Sequence, residues 1–92
     1  MVDVKQAVKS AESYARELFG EKELRHLRLE EVELSDDGQQ WRITLGWVER
    51  SVTQPGLIFQ NGTVQKLPRV YKVFEVDAES GKVNTMKIRD VE

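Results

Sequence analysis

Tyr71-Lys-Val-Phe-Glu-Val-Asp-Ala-Glu-Ser-Gly-Lys-Val-Asn-Thr-Met-Lys-Ile-Arg89 is the stretch that decides the fold. It reads as a β-hairpin. Val70–Val76 is rich in β-branched and aromatic residues, which suit a pleated, half-buried surface. Asp77-Ala-Glu-Ser-Gly81 supplies a turn, and Val83–Ile88 returns. Gly81 is the natural residue for a positive φ, and Asp77 and Ser80 can hydrogen-bond neighbouring backbone groups.

Upstream, Gln40–Val48 has the clearest strand pattern. Trp41, Ile43, Leu45 and Trp47 alternate with Arg42, Thr44 and Gly46, so one face is buried and the other mostly open. Ser35-Asp-Asp-Gly38 is a turn, and Leu24–Leu34 is the strand before it. That first strand changes phase: Leu27 and Leu29 share one parity, Val32 and Leu34 the other. A β-bulge near Glu30 and Glu31 reconciles them.

The chain begins with a helix. Asp3 caps it, and Gln6 stands at the reciprocal capping-box position. Val4, Ala7, Val8, Ala11, Tyr14, Ala15, Leu18 and Phe19 recur at three- and four-residue spacing and form an apolar stripe. Gly20 closes the helix. The stripe is expected to pack on the Trp41/Ile43/Leu45/Trp47 face. The alanines imply close approach to the sheet.

Glu49–Leu67 has two readings. Leu57-Ile-Phe59 and Thr63-Val64 flank Gln60-Asn-Gly62, and Asn61-Gly62 suits a tight hairpin turn. The alternative is a long mobile loop. The fold class is therefore α+β: one N-terminal helix on a curved antiparallel sheet of about four strands, in a single domain spanning 1–92.

Composition narrows the function. Ninety-two residues suit one modest core, and the absence of cysteine removes disulfides, thiolate metal sites and Cys nucleophiles. A net charge of −2 argues against nucleic acid, which calls for a basic face. Arg42, Arg69, Lys72 and Lys87 would supply such a face only if they aligned. No apolar run approaches the roughly 20 residues of a membrane span. The amino terminus shows no leader pattern, so a cytoplasmic location is expected.

No catalytic constellation emerges. His26 is the only histidine, and a surface position is the expectation for it. Glu30, Glu31, Glu33, Asp36 and Asp37 do not match the spacing of an EF-hand loop, and read as a solvated strand and turn. The serines include no nucleophile elbow, and the glycines form no phosphate loop. No cofactor or metal is expected.

The element order, and the pattern Tyr71-x-Val-x-x-Val-Asp-x-x-x-Gly-x-Val83, resemble a PepSY-type domain of cystatin-like topology. That resemblance implies an accessory binding module, or a restraint on peptidases, in a family whose members are usually exported. This chain departs from it in lacking an export signal. It also lacks the Gln-x-Val-x-Gly stretch of cystatins; Gln60-Asn-Gly-Thr-Val64 has a different order.

The expectation is a non-enzymatic binding or regulatory module acting through protein–protein contact, with a homodimer or another protein as partner. The alternative is a small ligand-binding protein or enzyme with a pocket between helix and sheet. A sheet of four strands is about 19 Å wide, whereas one helix covers about 10–12 Å. The candidate interaction surface is thus Val48, Tyr71 and Val73 on the open face, with Leu57, Ile58 and Phe59 in the intervening segment.

Overall fold

The structure is a computed structural model and describes residues 1–48, 59–60, 63–64 and 69–89. Helix α1 spans Val4–Phe19, and β1 spans Arg25–Leu34. Then come β2 (Gln40–Val48), β3 (Phe59–Gln60), β4 (Thr63–Val64), β5 (Arg69–Asp77) and β6 (Val83–Arg89). The main sheet is antiparallel in the order β1-β2-β5-β6. The α+β expectation of one helix on about four strands is met. β3 and β4 pair as a separate small hairpin, Phe59 with Val64 and Gln60 with Thr63. Apart from β3 and β4, the segment 50–67 for which mobility is expected lies outside the described residues, and Leu57 and Ile58 with it.

The ends of α1 follow from its local chemistry. Asp3 Oδ1 accepts the Gln6 N–H at 2.8 Å, and Gln6 Oε1 accepts the Asp3 N–H at 3.1 Å. This is a complete capping box, satisfying donors that a helix start otherwise leaves to water. Gly20 ends the helix at φ 82°, with its N–H on the Arg16 carbonyl at 2.9 Å. The segment ahead of the helix is also tied down. Val2 N–H donates to Ala78 O at 2.7 Å, and Trp41 Nε1 donates to Val2 O at 3.2 Å.

The two tight turns use the residues read from the sequence. Gly38 and Gly81 take φ of 71° and 78°. Asp77 Oδ1 accepts the N–H groups of Glu79 and Ser80, each at 2.8 Å. Asp37 Oδ1 accepts the Ser35 hydroxyl at 2.6 Å and the Gln39 N–H at 3.0 Å. Each set of donors favours the ionised carboxylate and holds its pKa below the usual aspartate value.

Ala7, Ala11 and Ala15 are fully buried and let α1 lie close on the sheet. Beneath them are Ile43, Leu45, Trp47, Phe74 and Val76. Tyr14 meets Phe74 edge-on at 6.2 Å, and Phe19 meets Trp47 at 5.3 Å. Lys72 shares the register face of Leu45 and Ile88, yet it is buried. Its ammonium lies 5.9 Å from the Phe19 ring centre and 5.8 Å from that of Trp47, within range of a cation–π attraction.

Leu18 departs from the expected stripe. The Phe19 ring takes the place over Trp47, and Leu18 stays 51 % exposed. Among the described residues, no helix is long and apolar enough to cross a membrane.

Truncation at the two stripe positions should therefore differ. Ile43→Ala is expected to cost about 2–5 kcal/mol, as buried large-to-small changes do. Leu18→Ala is expected to cost less than about 1 kcal/mol, because the residue stays 51 % exposed. Urea melts of the two variants check this, and equal losses would contradict the packing described.

Candidate functional site on the open face of the sheet

The face of the sheet away from α1 is built in rows by strand register. Arg28, Gly46, Tyr71 and Arg89 form one row. Glu31, Thr44, Val73 and Lys87 form the next, and Glu33, Arg42, Glu75 and Thr85 the third. In the third row charges of opposite sign therefore stand side by side, Arg42 between Glu33 and Glu75.

The bulge expected in β1 creates part of this pattern. Between Leu29 and Glu31 the register gains one residue on β1, because Leu29 opposes Leu45 and Glu31 opposes Thr44. Glu30 is the extra residue. Leu29 and Val32 both stay on the helix side, while Glu31 joins the open-face row. The Glu30 carboxylate also lies over the open face, above Gly46.

A second irregularity lies between Arg25 and Arg28, where His26 adopts φ 55°. A side chain at positive φ is uncommon outside glycine and asparagine. Here Arg69 fastens the distorted backbone. Its Nη2 donates to His26 O and to Gly46 O, each at 2.8 Å. The same nitrogen lies 3.5 Å from Glu30 Oε2, which also accepts from Arg28 Nε at 2.8 Å. Arg69 Nε is buried and has no partner among the described residues. His26 itself is exposed, as expected. Among the described residues, no cluster of three or more His, Asp or Glu is placed to hold a metal.

Next to this knot lies a depression of about 310 Å³, lined by Glu31, Glu33, Arg42, Thr44, Val73 and Arg89. Arg42 bridges two strands. Its Nη1 is 3.4 Å from Glu33, and its Nε is 3.4 Å from Glu75. Thr85 donates its hydroxyl to Glu75 at 2.8 Å. Arg89 reaches from β6 to Glu31 on β1 and lies 3.4 Å from the Thr44 hydroxyl. The Thr85 hydroxyl, and then Arg42, hold the Glu75 pKa below the usual glutamate value. The Glu75 and Glu33 carboxylates raise that of Arg42.

The candidate residues separate. Tyr71 and Val73 lie on this face, half-buried. Val48 shares the face by register but is only 3 % exposed, so it offers almost no contact area. Phe59 belongs to β3. The basic face does not assemble: Lys72 lies on the helix side, and Arg42 and Arg69 are engaged with glutamates. Sequence reading missed Arg89, Glu31 and Thr44 as neighbours. Comparison with family models, with curated proteins and with solved structures finds no match.

Two outcomes test this geometry. A Cβ on Gly46 would sit 2.6 Å from Glu30 Oε2 and 3.1 Å from Tyr71 Cδ1. Gly46→Ala should cost about 1–3 kcal/mol, the range for forced overpacking. In a Glu30→Ala background the cost should shrink, which a double-mutant cycle in denaturant measures.

The second concerns pH. Glu75 is depressed in the folded state, so the unfolded chain binds the proton more readily. Its contribution is present above the ordinary value of 4.5 and is lost as pH falls through the lower folded value. Glu75→Gln should be less stable than wild type at pH 7, and the gap should close below about pH 4.5. Thermal melts across pH 2.5–7 check it.

Proposed function

We propose that the protein is a small non-enzymatic binding module whose open sheet face contacts a protein partner. The observation that carries this reading is the depression around Val73 and Thr44, ringed by Arg42, Arg89, Glu31 and Glu33. A small apolar floor within alternating charges suits a protein surface, where apolar contact supplies affinity and charge placement supplies register. The packed interior supports the same reading. Trp47, Phe74, Ile43, Leu45 and Val76 are each under 2 % exposed, so contact with a partner falls to the outer surfaces. The PepSY-type resemblance of the last hairpin points the same way. A homodimer is the simplest form, since two-fold pairs are the commonest assemblies.

A second reading rests on a groove of about 350 Å³ between α1 and β1, lined by Val4, Lys5, Val8, Lys9 and Leu29. Two lysines at the rim of an apolar groove would suit a small anionic amphiphile.

Sedimentation equilibrium at tens of micromolar tests the first reading. The wild type should associate beyond the monomer, and Val73→Glu should return it to monomer with its melting curve retained. A strictly monomeric wild type removes the homodimer. Uptake of a fluorescent fatty acid by wild type, lost in Leu29→Arg, would favour the second reading.

A further inference from the structure

We infer that the outer edge of β6 takes up an extended peptide strand with acidic and apolar residues in alternation. The two edges of the main sheet differ. β1 is interrupted by two register irregularities and carries Glu30, Glu31 and Glu33. Bulges and charges of this kind stop an edge from templating another strand. β6 pairs with β5 on one side, and its one irregularity falls at its start, opposite Glu75 and Val76. From Thr85 to Arg89 it runs in unbroken register. Among the described residues, no strand pairs with its other side.

The side chains on this edge define the occupant. Residues 82–89 carry Lys82, Lys87 and Arg89 and no acid; Asp90 and Glu92 follow, outside the described residues. Lys87 and Arg89 stand on the open face, opposite Val73 and Tyr71. Arg89 is engaged with Glu31, whereas among the described residues Lys87 and Lys82 have no acid within ion-pair distance. Met86 and Ile88 stand on the helix face, opposite Phe74 and Lys72. Ile88 is 74 % exposed.

Ile88 is the most exposed large apolar side chain within the described secondary-structure elements.

A strand laid along β6 places alternate side chains on the two faces. Those on the open face meet Lys87, so glutamate or aspartate fits. Those on the helix face meet Ile88 and Met86, so apolar residues fit. A second β6 would bring cations towards cations, and this disfavours self-pairing. Main-chain hydrogen bonds would give such a peptide affinity, and the two faces would give it specificity. The inference is separate from the open-face contact around Val73.

The test uses the full chain and two blocked, fluorescein-labelled nonapeptides, one alternating glutamate with valine and the other lysine with valine. Fluorescence anisotropy should show the glutamate peptide binding at least about tenfold more tightly than the lysine peptide. Lys87→Glu and Ile88→Glu should each weaken it by about tenfold or more. Both side chains are exposed, so the variants should fold, which amide spectra verify. Glu23→Ala, exposed in the turn between α1 and β1, should leave binding unchanged.

In wild type, the peptide should shift the amide resonances of residues 83–89 most. Absence of binding, equal binding of the two peptides, or shifts centred on Arg42 and Thr44 overturns the inference. Self-association that Ile88→Glu abolishes and the glutamate peptide fails to displace would assign the edge to a second copy, and would also overturn it.

Discussion

Everything in this fold depends on how closely one helix approaches the sheet, and three alanines set that approach. Ala7, Ala11 and Ala15 have no bulk beyond Cβ, so the large side chains directly beneath them come from the strands, and the helix adds its own, Tyr14 and Phe19, beside the alanine stripe. Ile43, Leu45, Trp47, Phe74 and Val76 fill the space beneath α1. A wider helix stripe would lift α1 and open gaps around those side chains, losing contacts that no other element replaces. The close approach also limits coverage. α1 packs mainly on β2, β5 and β6, so Leu29 and Leu34 of β1 stay 43 % and 39 % exposed.

The opposite face is governed by β1. Its extra residue at Glu30 places consecutive glutamates over the open face, one above Gly46 and the next beside Arg89. Gly46 leaves room for the first, and Arg69 anchors the turn in the backbone before it. The bulge is thus a means of delivering charge as well as a correction of phase. Exposed ion pairs contribute little stability singly. Their role here is to fix which side chains surround Val73.

The local grammar of the chain was legible. The capping box at Asp3 and Gln6, the Gly20 stop and the turns at Gly38 and Gly81 each depend on residues within a few positions. The phase change in β1 revealed the bulge because parity is strictly two-fold in a strand. Long-range geometry was not legible. Arg89 and Glu31 are 58 positions apart, and only the full strand order brings them together. The half-buried state of Tyr71 and Val73 follows from the same crossing pairs. The exposure of Leu18 was hidden because periodicity gives a direction around the helix and says nothing about where the sheet ends.

Lys72 shows how that end is closed. By parity it belongs to the core face, between Phe74 and Val70, where an apolar residue is expected. The alanine stripe finishes at Ala15, and the next residue over the sheet is Phe19, whose ring meets Trp47. An aliphatic side chain at 72 would fill the space beneath these rings but leave the rim unfinished. Lysine does both: its stem packs as methylenes do, and its ammonium meets the π faces of Phe19 and Trp47. The end of α1 carries the negative pole of the helix dipole, which also favours a cation there. A charge on the core face is therefore consistent with the fold because it stands where the helix runs out.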